Sequence, residues 1–141
     1  MTLYLDTSSL VKLYVQETGS DDVRALVDHA AVVATSVVAY PETRAAFARL
    51  RREGELTSAT LAAAKREFES DWPSYLTLDV SAALAREAGA LSERYALRGF
   101  DAVHLASFAE LRRTSTAQAR FSSFDERLNT AAAKIQRRSR R

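Results

Sequence analysis

The chain has no cysteine, only two prolines and only four glycines among its 141 residues. Without cysteine there is no disulfide framework and no thiolate metal centre, which excludes zinc fingers and thiol redox enzymes. A reducing compartment suits such a chain. The glycines form neither G-x-G-x-x-G nor G-x-x-x-x-G-K, so the dinucleotide-binding and P-loop motifs are absent. No apolar run approaches the roughly 18 residues of a membrane span, and Met1 to Asp6 carry no basic leader. The expectation is a cytoplasmic protein with neither signal peptide nor membrane anchor. What is present is ordinary for one folded domain: 47% hydrophobic and 27% charged residues.

Charge is unevenly placed. The formal net charge is +2, yet Lys134, Arg137, Arg138, Arg140 and Arg141 hold five of the twenty basic side chains. The rest of the chain has fifteen basic against eighteen acidic side chains, a net −3. The division expected is a domain over 1–133 and a basic tail over 134–141, either a solvated end or an arm that meets nucleic acid.

Hydrophobic periodicity predicts strands alternating with helices. Strands are expected at Leu3 to Leu5, Ala31 to Thr35, Tyr75 to Leu78 and Ala119 to Ser122. The first helix should start after Asp6, capped by Thr7, Ser8 or Ser9, and run through Leu10, Leu13 and Tyr14 to Gly19. Asp21 and Asp22 open a second helix, and Ser36 caps a third that reaches Arg52, with Pro41 kinking it. A partner helix runs from Ser58 to Trp72. After the third strand a helix carries Leu84, Ala88, Leu91 and Tyr95 and ends at Gly99. Another begins at Asp101, and the last begins at Asp125 with Leu128, Ala131, Ala132 and Ile135 on one face. This pattern implies a three-layer α/β/α sandwich around a mainly parallel sheet of four to five short strands.

Four acids stand at element boundaries: Asp6 after the first strand, Glu42 early in the third helix, Asp101 at a helix start, and Asp125 after the fourth strand. Ligands of open parallel sheets bind outside the carboxyl ends of the strands, where such acids would meet. Converging carboxylates repel unless a cation neutralises them, and an all-oxygen donor set suits a hard divalent ion. Such a site hydrolyses phosphodiesters. Each Asp also reads as a helix N-cap, and Glu42 as an ordinary first-turn acid.

DTSSLVKLYVQE at 6–17, SVVAYPETRAAFARL at 36–50, RGFDAVHLAS at 98–107 and SSFDERLNTAA at 122–132 resemble the four signature blocks of PIN-domain proteins, specifically VapC-type toxins of prokaryotic toxin–antitoxin pairs. The resemblance spans nearly the whole chain. It implies a Mg²⁺- or Mn²⁺-dependent endoribonuclease whose catalytic and metal-binding acids match Asp6, Glu42, Asp101 and Asp125, with Thr7 and Ser123 as supporting hydroxyls. It implies products with 5′-phosphate and 3′-hydroxyl ends. It also implies an RNA substrate, a small VapB-like antitoxin, a homodimer, and operator DNA bound only through the antitoxin complex. The chain departs from the family at its basic end, and at Ser122-Ser123, where an apolar residue and Thr are usual. The alternative is a PIN-fold module that binds RNA or protein without turnover.

Among other residues, His104 lies one helical turn after Asp101 and reads as a packed structural histidine, with a metal or general-base role as the alternative. His29 reads as a helix C-terminal dipole partner. The helices expected over 36–52 and 58–72 read as a helical hairpin whose Arg44, Arg49, Arg51, Arg52, Lys65 and Arg66 interleave with Glu53, Glu55, Glu67 and Glu69, as in a salt-bridged surface, with an RNA-backbone track as the alternative. Tyr4, Tyr14 and Tyr40 read as core aromatics, with base stacking as the alternative.

Overall fold

The structure, a computed structural model, describes residues 1–138. Four strands alternate with helices: β1 (Thr2–Leu5), α1 (Thr7–Val11), α2 (Ser20–His29), β2 (Val32–Ser36), α3 (Ala39–Arg52), α4 (Ser58–Asp71) and β3 (Leu76–Leu78), then α5 (Ala82–Tyr95), α6 (Gly99–Thr114), β4 (Ala119–Ser122) and α7 (Glu126–Arg138). The sheet order is β3-β2-β1-β4 and every pairing is parallel. β1 is central, so both of its faces are covered and its four residues are buried.

The strand's two-residue alternation divides the core. Leu3 and Leu5 point into one layer with Leu10, Val23, Phe47 and Phe68, drawn from α1 to α4. Tyr4 points into the other with Leu84, Leu105, Phe108 and Leu128, drawn from α5 to α7. α6 is buried nearly all round, from Ala102 to Leu111, and forms the spine of that second layer. This is the three-layer arrangement expected from the alternation of elements.

Several boundaries differ from the sequence reading. α1 is a single short helix ending at Val11, and Leu13 and Tyr14 follow in turns, because Val15 and Ser20 anchor the chain before Gly19 can serve as a stop. Its cap is Asp6, whose side chain accepts from the Ser9 amide. Pro41 is the third residue of α3, where an amide hydrogen has no partner within the helix, so it costs no bond there. α5 ends on Ala96 in the left-handed region (φ 53°), and Gly99 opens α6 rather than closing α5. Lys134 to Arg138, read as tail, are the last turns of α7; Arg112 donates to the Ile135 carbonyl at 3.1 Å. The rest of that segment, 139–141, lies outside the described residues.

Candidate functional site

The chain winds from β1 to β2 and β3 on one side, then returns to place β4 on the other side of β1. That reversal opens a crevice at the carboxyl ends of β1 and β4, the usual ligand position in such sheets. Asp6 leaves β1 there. Ser123, Phe124 and Asp125 leave β4 there, one residue beyond the Leu5–Ser122 pairing.

Asp6 is 4% exposed and fixed on three sides. Its Oδ1 accepts from the Ser9 amide (3.0 Å) and the Ser8 hydroxyl (2.7 Å), and its Oδ2 accepts from the Ser123 hydroxyl (2.6 Å). A carboxylate offers about four lone-pair sites, so roughly one remains for something outside the fold. The same serines stitch the two loops together. Ser8 Oγ accepts from the Phe124 amide (3.0 Å), and Ser123 Oγ accepts from the Asp125 amide (3.0 Å). Beneath them the Ser9 and Ser122 hydroxyls meet at 2.9 Å in the interior.

Glu42 projects from the first turn of α3. Its Oε1 accepts from the Thr7 hydroxyl (2.7 Å) and from His104 Nε2 (2.9 Å). Its Oε2 accepts from no described residue. Burial opposes the Glu42 charge, but the hydrogen bonds from His104 and Thr7 outweigh it and hold the carboxyl below the ordinary glutamate range. His104 is 2% exposed, and its Nδ1 lies 2.8 Å from the hydroxyl of Tyr4, which is fully buried. Burial raises the Tyr4 phenol well above its ordinary pKa, so Tyr4 keeps its proton beside Nδ1. The ionised Glu42 carboxylate can only accept, so the hydrogen of that contact sits on His104 Nε2, with Thr7 Oγ1 also within 3.2 Å.

Asp101 is the third residue of α6, not its cap; the cap position belongs to Arg98, which makes no side-chain capping bond. The structural explanation offered by the sequence thus fails for Asp101. No hydrogen bond from a described residue reaches its carboxyl. Burial first, then Asp125 and Asp6, raise its pKa; His104 works in the opposite sense and Glu42 adds to the rise. Asp125 does cap α7, accepting from the Leu128 amide at 2.9 Å, and it is exposed. The fold therefore brings all four acids and both hydroxyls to one end of the sheet.

Two clefts meet at Glu42. One, about 720 Å³, runs along Ala88, Gly89, Arg98, Phe100 and Asp101; the other, about 550 Å³, runs along Thr7, Lys12, Arg49, Arg52 and Phe124. Phe124 is held in place by Gly19, whose left-handed backbone (φ 94°) passes under the ring, and by the Lys12 ammonium 4.4 Å from its centroid.

Sequence reasoning missed Ser8 as a hydrogen-bond partner of Asp6; it read His104 as a packed structural histidine, and the structure buries it between Tyr4 and Glu42. The signal for His104 was its turn-distance from Asp101; for Ser8 it was a second hydroxyl beside the first acid. His29 does cap its helix end, with Nδ1 at 2.8 Å from the Ala25 carbonyl. Tyr14 and Tyr40 pack on Phe68, as core aromatics do.

Among the described residues no group of three or more acidic or histidine side chains is placed so that it could hold an ion. The donor chemistry still fits a hard divalent cation. Asp6 and Glu42 each keep oxygen capacity facing outward, Asp101 has no compensating partner, and Mg²⁺ typically takes one or two carboxylates and fills its shell with water and phosphate.

Comparison with known proteins agrees with this geometry. The PIN domain profile matches residues 3–134. Two Mycobacterium tuberculosis proteins, Ribonuclease VapC45 (strain CDC 1551 / Oshkosh) and Ribonuclease VapC49 (strain ATCC 25618 / H37Rv), are each 44% identical over 105 residues, 74% of this chain and 73% of theirs. The crystal structure of M. tuberculosis VapC20, a Sarcin-Ricin loop cleaving toxin, superposes with a TM-score of 0.64 at 23% identity, over 92% of this chain and 94% of that one, and so shares the fold. The chain is a member of the PIN-domain family, in its VapC group.

Proposed function

We propose that this protein is the toxin of a toxin–antitoxin pair, an endoribonuclease that hydrolyses RNA phosphodiesters with Mg²⁺ or Mn²⁺. The observation that carries the proposal is Asp101, a half-buried carboxylate with no hydrogen-bond donor, pushed against its own ionisation by burial and by Asp125 and Asp6. A fold keeps such a group at a structural cost where a cation or a reacting centre uses it. Asp6, Glu42, Asp101 and Asp125 would hold the ion. Bound there, a divalent ion supplies Lewis-acid polarisation of the phosphoryl group and lowers the pKa of a water.

The protein's own residues do the positioning. Ser8, Ser9 and Ser123 fix Asp6, and Thr7 and His104 keep Glu42 ionised and aimed. Asp125, tied through its amide to Ser123, orients the attacking water on the solvent side. The relatives' designation as VapC ribonucleases supports RNA as substrate and a VapB-like antitoxin as partner. A homodimer, and operator DNA contacted only through the antitoxin complex, belong to the same reading.

The test is end-group analysis of a synthetic RNA cut by the purified protein. Water attack predicts 5′-phosphate and 3′-hydroxyl ends. Cyclic or 3′-phosphate ends would show attack by the RNA's own 2′-hydroxyl and refute the mechanism.

A further inference from the structure

The catalytic crevice is acidic, so a polyanionic strand is repelled at the point where it must be cut. The fold gathers positive charge immediately beside it. Arg98 lines the same cleft as Glu42 and Asp101. Two residues earlier in the chain, the Ala96 carbonyl accepts from Arg127 Nη1 at 2.9 Å, which brings the first turn of α7 alongside. Beyond that point Arg94, Tyr95 and Lys134 border two adjoining hollows of about 600 and 510 Å³, the larger of them walled also by Arg137 and Arg138.

These cations form a track. Arg127, Lys134 and Arg138 recur at i, i+7 and i+11, one face of α7, and span about 16 Å at 1.5 Å per residue. All are exposed, as are Arg94, Arg98 and Arg137. Lys134 lies over the Tyr95 ring, 5.8 Å from its centroid. Among the described residues none of these six cations enters an ion pair, whereas Arg44, Arg49 and Arg113 elsewhere on the surface do. Glu126 is the one acid on the border of the two hollows. Unpaired cations held side by side repel one another and are satisfied by an anion that runs along them.

We infer that the α5–α7 face is a binding track for the phosphate backbone of the RNA strand that flanks the scissile position. It rests on the ribonuclease reading and adds where the strand lies. Arg98 in the cleft at Asp101 and Arg127, bonded to the Ala96 carbonyl two residues before it, lead from that cleft toward the hollows, which matches a strand entering the site. The hollows are rimmed by cations with Glu126 as their one acid among the described residues, and Lys134 covers the Tyr95 ring, so the rim suits a polyanion better than an apolar protein segment.

The experiment measures binding separately from cleavage. An Asp101→Asn background is titrated by fluorescence anisotropy with a long single-stranded RNA and with a trinucleotide across a range of salt. The triple change Lys134→Gln, Arg137→Gln, Arg138→Gln is compared with the charge-keeping Lys134→Arg, Arg137→Lys, Arg138→Lys. Each phosphate contact on a single strand contributes about 0.7 to the slope of log K against log salt, so the neutral triple variant should lose about 2 in slope on the long RNA. The charge-keeping variant should retain the slope, and the trinucleotide, which cannot fill the crevice and the whole track together, should lose much less. An unchanged slope on the long RNA overturns the inference, including the case in which an acidic peptide is what the face binds instead. An equal loss on the trinucleotide overturns it too, since the charges would then act at the crevice or through the fold. A slope change in a protein whose Asp101 form never cuts RNA keeps the track and rejects the nuclease.

Discussion

Tyr4→Phe removes a single oxygen from the interior and isolates what the Tyr4–His104–Glu42 chain contributes. The ring stays: it stacks on Phe121 at 5.6 Å, meets Phe108 at 6.1 Å, and packs edge-on to His104 at 5.9 Å. Packing is therefore nearly conserved. What changes is Nδ1 of His104, which loses its 2.8 Å partner at a residue only 2% exposed. A buried polar atom left without a partner costs about 1–3 kcal/mol. For a domain of this size that is a fall in Tm of roughly 3–10 °C. The second consequence is chemical. Without the phenol the imidazole loses one of the two contacts that orient it, so the bond to Glu42 Oε1 weakens and burial is less fully offset. The Glu42 pKa should rise, and the acid limb of the rate–pH profile should move to higher pH, with kcat affected more than KM. Urea denaturation and a pH–rate series read both effects. Stability within about 0.5 kcal/mol of the parent, together with an unmoved acid limb, would refute the relay.

Other perturbations follow from the same geometry. Ser123→Ala strips the donor from Asp6 Oδ2 and the acceptor from the Asp125 amide, at a cost of about 1–3 kcal/mol and with a lower cleavage rate; Ser123→Thr should restore both in unfolding and kinetic assays. Asp101→Asn should raise the metal-free stability slightly, by about 0.5 kcal/mol, the scale of a relieved like-charge pair, while abolishing cleavage; a lower Tm in calorimetry would contradict the account of its charge. Gly19→Ala sets a methyl group 2.6 Å from Phe124 Cε1 on a backbone at φ 94°, and should cost about 1–3 kcal/mol. Adding Phe124→Ala should recover only the steric part, which a double-mutant cycle measures. On acidification two carboxyls act in opposite senses. Glu42, lowered, contributes stability that is full above its ordinary range and is lost as pH falls through its folded value; Asp101, raised, takes up its proton first and relieves repulsion. Acid unfolding of His104→Leu should therefore begin at higher pH than that of the parent, monitored by circular dichroism.

Much of the architecture is legible in the sequence because a parallel sheet between helices imposes two strong periods. β4 reads as Ala119 to Ser122 and is found there, since its strand pattern ends at a serine pair and a capping Asp. The errors have local causes. Gly99 looks like a helix stop, but the stop is made by Ala96 in the left-handed region, held by its amide to the Ser92 carbonyl. Leu13 and Tyr14 keep helical spacing outside a helix because their ring and methyl groups pack on the α3–α4 layer.

The site was less legible than the fold. The four acids are distributed from residue 6 to residue 125, and only the strand order, with β4 returning beside β1, places them at one edge. Even then Asp6 and Asp125 are genuine caps, so their local explanation and a site role hold together, whereas Asp101 caps nothing and is a first-turn acid of α6. Which side chains support them depends on rotamers in a crowded interior. A histidine among Val103, Leu105 and Ala106 gives no sign that both its nitrogens are spoken for, one by Tyr4 and the other by Glu42.

The central claim is that these carboxylates run a metal-dependent hydrolysis of RNA. It is tested most directly by incubating total cellular RNA with purified antitoxin-free protein in Mg²⁺, in Mn²⁺ and in EDTA, beside the Asp101→Asn variant. The account predicts discrete fragments with either ion, none in EDTA, and none from the variant although it folds. Fragments that persist in EDTA or in the variant, or a folded parent protein that cuts nothing with either ion, would contradict it.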